Sequence, residues 1–159
     1  MRLRLFPLAN KRLLYEITHP KLPLEYFRTL HSGVENTIVY GNLLVVNLQN
    51  IYFPEVVAEM ADLLIRLEGI ETVLSIGGYN KELILSLRTT SRQRNAGEII
   101  RRLVNGNGTA GGHGMMAGGK LDRMPEGPAA LHQVEASLVR QLLGELAITD
   151  VTPKRLIAR

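Results

Sequence analysis

The stretch Gly108-Thr109-Ala110-Gly111-Gly112-His113-Gly114-Met115-Met116-Ala117-Gly118-Gly119 is where the residue types best suit chemistry. Seven of the chain's 15 glycines fall between Gly106 and Gly119, with one histidine among them. Glycine permits positive φ and lets a ligand approach bare backbone N–H groups. A histidine on such a backbone adds a donor or acceptor whose charge responds to pH. The combination suits an anion. Six basic residues (Arg88, Arg92, Arg94, Arg101, Arg102 and Lys120) and one acid, Glu98, lie between Leu83 and Leu121. That window exceeds the chain's net charge of +4, so the remainder is slightly acidic. Positive charge thus sits beside the glycine segment, as a phosphate-bearing partner requires. A solvated helix face is the plain alternative for such a run.

Other chemistries lack their residues. Metal-dependent hydrolysis draws on clustered carboxylates and histidines. Here the three aspartates (Asp62, Asp122, Asp150) are remote in sequence from any histidine, and His19, His31, His113 and His132 show no i, i+4 pairing. No G-x-S-x-G elbow occurs, and no Walker lysine follows the glycines. No catalytic residue and no metal ligand are therefore assigned to this chain, which reads as able to bind and unable to cut. It contains no cysteine, which excludes a disulfide framework and fits the cytoplasm. No apolar run reaches the roughly 18 residues of a membrane span. The opening Met1-Arg2-Leu3-Arg4-Leu5-Phe6-Pro7 lacks the apolar core of a signal peptide.

The elements that must position these residues are legible from pattern. Residues 1–21 are basic and irregular, broken by Pro7 and Pro20. A short helix follows Pro23, from Leu24 to His31. Residues 36–40 and 43–49 are β-rich runs joined by Gly41-Asn42, a two-residue hairpin signal. Val56, Val57, Met60, Leu63, Leu64 and Leu67 recur at helical spacing between Pro54 and Glu68, with Gly69 as a stop. Residues 72–76 and 83–88 predict an antiparallel strand pair, with Gly77-Gly78-Tyr79-Asn80 as the tight connection. Asn95 is a candidate N-cap for a helix to about Val104. The glycine segment follows as a loop, then a short strand around Lys120–Met124. After the break Pro125–Pro128, an amphipathic helix runs from Ala129 to Ala147 with Leu131, Val134, Leu138, Leu142 and Leu146 in one stripe. It is expected to cover an open sheet face; a dimer or interdomain contact is the second reading. The expected class is α/β: a mixed sheet of about four to five strands with helices packed on it, plus the C-terminal amphipathic helix.

The segment Gly111-Gly112-His113-Gly114-Met115-Met116-Ala117-Gly118 resembles the G-G-H-x-x-A-A-G signature of the DHH-associated C-terminal domain. Upstream, Leu85-Ser86-Leu87-Arg88-Thr89 looks like the strand ending in S-x-R-S/T that precedes this signature. The likeness covers about residues 34–124. It implies a substrate-binding domain there, with residues 1–33 a linker or the end of a preceding domain and residues 125–159 a C-terminal helix and tail. Such domains follow an Asp-His-His domain in RecJ-like exonucleases, nanoRNA and pAp phosphatases, cyclic-dinucleotide phosphodiesterases and exopolyphosphatase-related proteins. A relative occurs in alanyl-tRNA synthetase. In two departures, Ala110 replaces the first glycine of the commoner G-G-G-H form and Met116 stands where alanine is usual. No Asp-His-His motif occurs, so the resemblance implies a C-terminal part of a longer phosphoesterase whose metal ions, expected to be Mn²⁺, belong to the catalytic domain.

By this resemblance, Arg88 clamps a phosphate or nucleotide, Gly111, Gly112 and Gly114 bring backbone N–H groups to the substrate, and His113 donates to a phosphate oxygen or orients the scissile group. A guanidinium fork matches phosphate geometry. A surface arginine, a tight turn and a hydrogen-bonded histidine are the plain alternatives. Arg92 and Arg94 could track a longer oligonucleotide backbone, Arg101 and Arg102 are expected to face solvent, and Met115 and Met116 to pack under the loop, with contact to a base as the second reading. The partners implied are a short oligonucleotide or nucleotide phosphate, a catalytic DHH domain and, as an option, a second copy of the chain; no membrane is implied. The alternative function is a non-catalytic RNA-binding module like that of the synthetase.

Overall fold

The computed structural model describes residues 11–158. Its elements are α1 (Lys11–Thr18), α2 (Leu24–Glu35), β1 (Ile38–Tyr40), β2 (Leu43–Asn50), α3 (Glu55–Leu64), β3 (Thr72–Tyr79), β4 (Glu82–Thr89), α4 (Ala96–Val104), β5 (Gly108–His113), β6 (Met116–Leu121), α5 (Pro128–Glu145) and β7 (Lys154–Arg155). The strands form one sheet in the order β5-β6-β4-β3-β2-β1-β7. β2 and β3 pair in parallel, joined through α3, and the other neighbours are antiparallel. This is the mixed α/β architecture expected, with seven strands where four to five were counted.

Side chains alternate across a strand, and here the alternation sorts two cores. Leu44, Val46, Leu48 and Val73 face α2 and α3, which bury Val56, Val57, Met60, Ala61 and Leu64 against them. Leu74, Ile76, Leu83, Leu85 and Leu87 face α4 and α5, which supply Ile99, Ile100, Leu103, Leu138 and Leu142. Each fully buried Leu or Ile contributes roughly 1.5–3 kcal/mol of transfer free energy, so the sheet is held rigid from both sides. α5 covers a sheet face as its stripe requires. Tyr26 ties α2 to α3 by donating to Glu59, and burial together with that carboxylate pushes its phenol up to about 12.

Local signals hold where the causes are local. Gly41-Asn42 is the β1–β2 turn, with Gly41 at φ +64°. The Asn95 side chain accepts from the Glu98 N–H at 3.2 Å, capping α4, worth about 1 kcal/mol. Three readings need correction. Gly77 and Gly78 belong to β3, and the β3–β4 turn is Asn80-Lys81, both at positive φ. A Cβ at Gly77 would sit 2.8 Å from a Val57 methyl, so this glycine makes room for α3 rather than a turn. The stretch read as irregular holds α1, an exposed helix with an Arg12–Glu16 pair at 3.2 Å and no buried residue. Pro7 and the basic residues before Lys11 lie outside the described residues. Finally, the glycine segment is no loop: it is the β5–β6 hairpin, and the strand expected around residues 120–124 ends at Leu121.

Candidate phosphate-binding site

β6 pairs with β4 on one side and β5 on the other, so the register lays out a grid. Arg88, Met116 and His113 form one row; Ser86, Gly118 and Gly111 the next; Ile84, Lys120 and Thr109 the third. Directly opposed residues share a face, and Arg88 reaches Asp62 of α3, so these rows face the α3 side. There α3 covers β3 and β4 but leaves the hairpin open. The middle row carries almost no side chain. A Cβ at Gly111 would meet nothing within 4 Å, and one at Gly118 only the Leu85 carbonyl at 3.7 Å. The result is a shallow floor of two adjoining hollows of about 260 and 340 Å³, bounded by Ala58, Arg88, Met116, Ile84 and Lys120.

Arg88 is held tightly for a residue near a strand end. Its Nε donates to Asp62 Oδ1 at 2.6 Å, and Nη1 donates to the Leu87 and Ala117 carbonyls at 3.0 and 3.3 Å. The side chain is only 11% exposed, whereas Asp62 is 55% exposed. Nη2 makes no hydrogen bond within the described residues, so that one nitrogen of the guanidinium is left for a ligand. Lys120 Nζ lies 3.0 Å from Glu82 Oε1 at the other end of the floor.

His113 ends β5 paired with Met116, and its exposed ring makes no hydrogen bond to the described residues. Gly114-Met115 makes the two-residue turn beside it, with Gly114 at φ +62° in the position such turns reserve for glycine. Thr89 N–H donates to the Met115 carbonyl at 2.9 Å and Ala96 N–H to that of Gly114 at 2.8 Å. The turn is thereby pinned to β4 and to the first residue of α4. Two strand spacings separate Arg88 from His113, roughly 10 Å between Cα atoms, a gap that one ligand can span. β5 is an edge strand, so one set of its backbone N–H groups is unpaired.

Other expected residues are used differently. Arg94 donates from Nη1 and Nη2 to the Glu145 and Leu146 carbonyls, both at 2.9 Å, closing the C-terminus of α5. Both of its terminal nitrogens are thus engaged within the domain, by a tie that spans some fifty residues and has no signal in sequence. Arg92 is exposed in the β4–α4 connection. Arg101 donates to the Gly112 carbonyl and Arg102 pairs with Glu145, both from the exposed side of α4. Met115 and Met116 do not pack beneath the hairpin but stand 56% and 54% exposed. Asp62 is the residue sequence reasoning missed, being 26 positions from Arg88. A concavity of about 670 Å³ between α4, α5 and the far end of the hairpin brings only Asp122 and Arg123 as charges. Among the described residues no three His, Asp or Glu side chains could hold a metal ion. No helix there is long and apolar enough to cross a membrane.

Residues 40–140 match the DHHA1 domain family. An uncharacterized protein of Methanocaldococcus jannaschii is 30% identical over 110 residues, 69% of this chain and 22% of that protein. An exopolyphosphatase-related protein from Bacteroides fragilis superposes with a TM-score of 0.65 at 13% identity, covering 90% of this chain and 42% of that one. The C-Ala domain of Aquifex aeolicus alanyl-tRNA synthetase gives 0.51 at 19% identity, covering 67% and 96%. The chain thus spans about a fifth of the archaeal relative. A DHHA1 domain normally stands alongside a catalytic DHH domain in DHH phosphoesterases. With its signature folded as a hairpin beside Arg88 and the match running from β1 into α5, this chain belongs to the DHHA1 domain family.

Proposed function

We propose that this domain holds the phosphate ester of a short oligonucleotide or small nucleotide for a DHH-type phosphoesterase. The observation that carries the reading is the row Arg88–Met116–His113 bordering a floor free of side chains. A guanidinium with a fixed orientation and one unengaged nitrogen can donate a charge-assisted hydrogen bond to a phosphate oxygen, and the absence of Cβ atoms at Gly111 and Gly118 lets the ester lie against backbone. His113 reaches the same ligand from the far side of the row. In this reading the bond-breaking chemistry, with Mn²⁺, is carried by a partnering DHH domain. This domain supplies position, which is a large share of a phosphoryl-transfer barrier.

The test compares the chain alone with the same domain joined to its DHH domain, using a 5′-phosphorylated dinucleotide and Mn²⁺. Cleavage is expected only from the joined protein. Robust Mn²⁺-dependent cleavage by the purified chain alone would overturn the division of labour. Submicromolar binding of structured RNA by the chain, with no shift at Gly111, His113 or Gly118, would favour a module of the synthetase kind instead.

A further inference from the structure

The floor's two cations are each neutralised by a carboxylate. Asp62 sits 2.6 Å from Arg88, and Glu82 sits 3.0 Å from Lys120. Glu55, Ala58 and Asp62 stand three or four residues apart on α3 and so share one side of that helix. Ala58 lines the floor, and Glu55 and Asp62 lie about one turn to either side of it. With His113 counted neutral at pH 7, the floor has no excess positive charge. Sites for multiply charged phosphates concentrate one sign of charge and present unpaired cations. This one does not. Its border is instead partly apolar, with Met116 more than half exposed and Ile84 beside the glycines.

Resting on the reading that the floor takes a phosphate ester, we propose that it selects a singly charged internucleotide phosphodiester. Asp62 is then the residue that discriminates against multiply charged phosphates. A phosphodiester carries one negative charge over two non-bridging oxygens, and the unengaged Nη2 of Arg88 can donate to one of them while Nε stays on Asp62. The nucleosides on either side give the exposed Met116 something to pack on. A tripolyphosphate would bring several charges within a few ångströms of Asp62 and Glu82, where the repulsion is only partly screened, and would leave the apolar border without a partner.

Backbone amide shifts of Gly111, His113 and Gly118 in the full chain report occupancy at constant ionic strength. The probes are adenylyl-adenosine without a terminal phosphate, adenosine 3′,5′-bisphosphate and tripolyphosphate. Wild-type protein should bind the dinucleoside monophosphate about tenfold more tightly than tripolyphosphate. Asp62→Asn keeps an oxygen to accept from Arg88 Nε but removes the charge. It should raise tripolyphosphate and bisphosphate affinity about tenfold and change dinucleoside affinity less than threefold. Tighter binding of tripolyphosphate by the wild type, or an equal effect of Asp62→Asn on every probe, would overturn the selectivity while leaving the floor as a phosphate site. Unshifted amides with all three probes at millimolar concentration would overturn the underlying site as well.

Discussion

On the α4 side of the β5–β6 hairpin, a Cβ built at Gly97 would lie 2.0 Å from the Gly112 carbonyl oxygen, and one at Gly112 would lie 2.5 Å from the Ala117 Cα. A Cβ at Gly119 would press on Val104 and Ile100 at 3.1 and 3.2 Å. On the α3 side of the same hairpin, Gly111 looks into open space. The two faces are rich in glycine for opposite reasons. One lets a helix approach backbone at a distance no side chain permits, and the other leaves a surface bare. Packing explains the first completely. The second costs conformational entropy in the unfolded chain with no packing return, which is what a surface kept for a ligand looks like.

The contrast breaks most visibly at Gly97. An Ala there cannot be relieved by a rotamer change, because the obstruction is the Gly112 backbone. Moving α4 away would also lengthen the Ala96 to Gly114 hydrogen bond that pins the turn. Gly97→Ala should cost about 3 kcal/mol, the upper end of overpacking penalties, and lower the melting temperature by roughly 10 °C. Thermal unfolding followed by circular dichroism measures it. An unchanged melting temperature would mean that α4 does not seat on the hairpin as described.

The open face is probed through Arg88 and His113 in the domain joined to its DHH partner. Arg88→Ala should remove a charge-assisted hydrogen bond worth roughly 1.5–3 kcal/mol in kcat/KM. Arg88→Lys should recover only part, since lysine keeps the charge and loses the fork. His113→Ala should slow turnover without lowering the melting temperature, because the ring is exposed and makes no hydrogen bond within the described residues. If both side chains meet one phosphate, the double mutant should lose less than the two single losses added together. Wild-type turnover in both single mutants would remove the site assignment, and a collapse of stability in His113→Ala would make the histidine a pin for the hairpin.

What could be read beforehand follows from how far each cause reaches. Asn95 capping α4 and Gly41-Asn42 turning β1 into β2 are settled within four residues, and the pattern shows them. The signature around His113 and the strand ending at Arg88 identify the family without any knowledge of their pairing. The hairpin itself is hidden, because glycine has poor strand propensity and β6 is held by β4, some thirty residues earlier. The same distance problem hides the Asp62–Arg88 contact, the closure of α5 by Arg94, and the pairing of β7 with β1. Gly77-Gly78 misleads for a further reason: two glycines mark a turn and a tight helix–strand contact equally well, and only α3 decides between them.

The smallest expected change in stability is the most discriminating. Gly111 pairs with Gly118 in ordinary register, has no positive φ, and would place a Cβ in open space. Gly111→Ala should therefore shift stability by less than about 1 kcal/mol, and in the stabilising direction, since alanine restricts the unfolded chain more than glycine does. The same methyl group projects over the floor between Arg88 and Lys120, where the ester is proposed to lie. Binding of the dinucleoside monophosphate should then fall about tenfold or more while the melting temperature holds or rises. Loss of both together would place Gly111 with Gly97 as a packing glycine, and retention of both would leave the bare floor without a ligand.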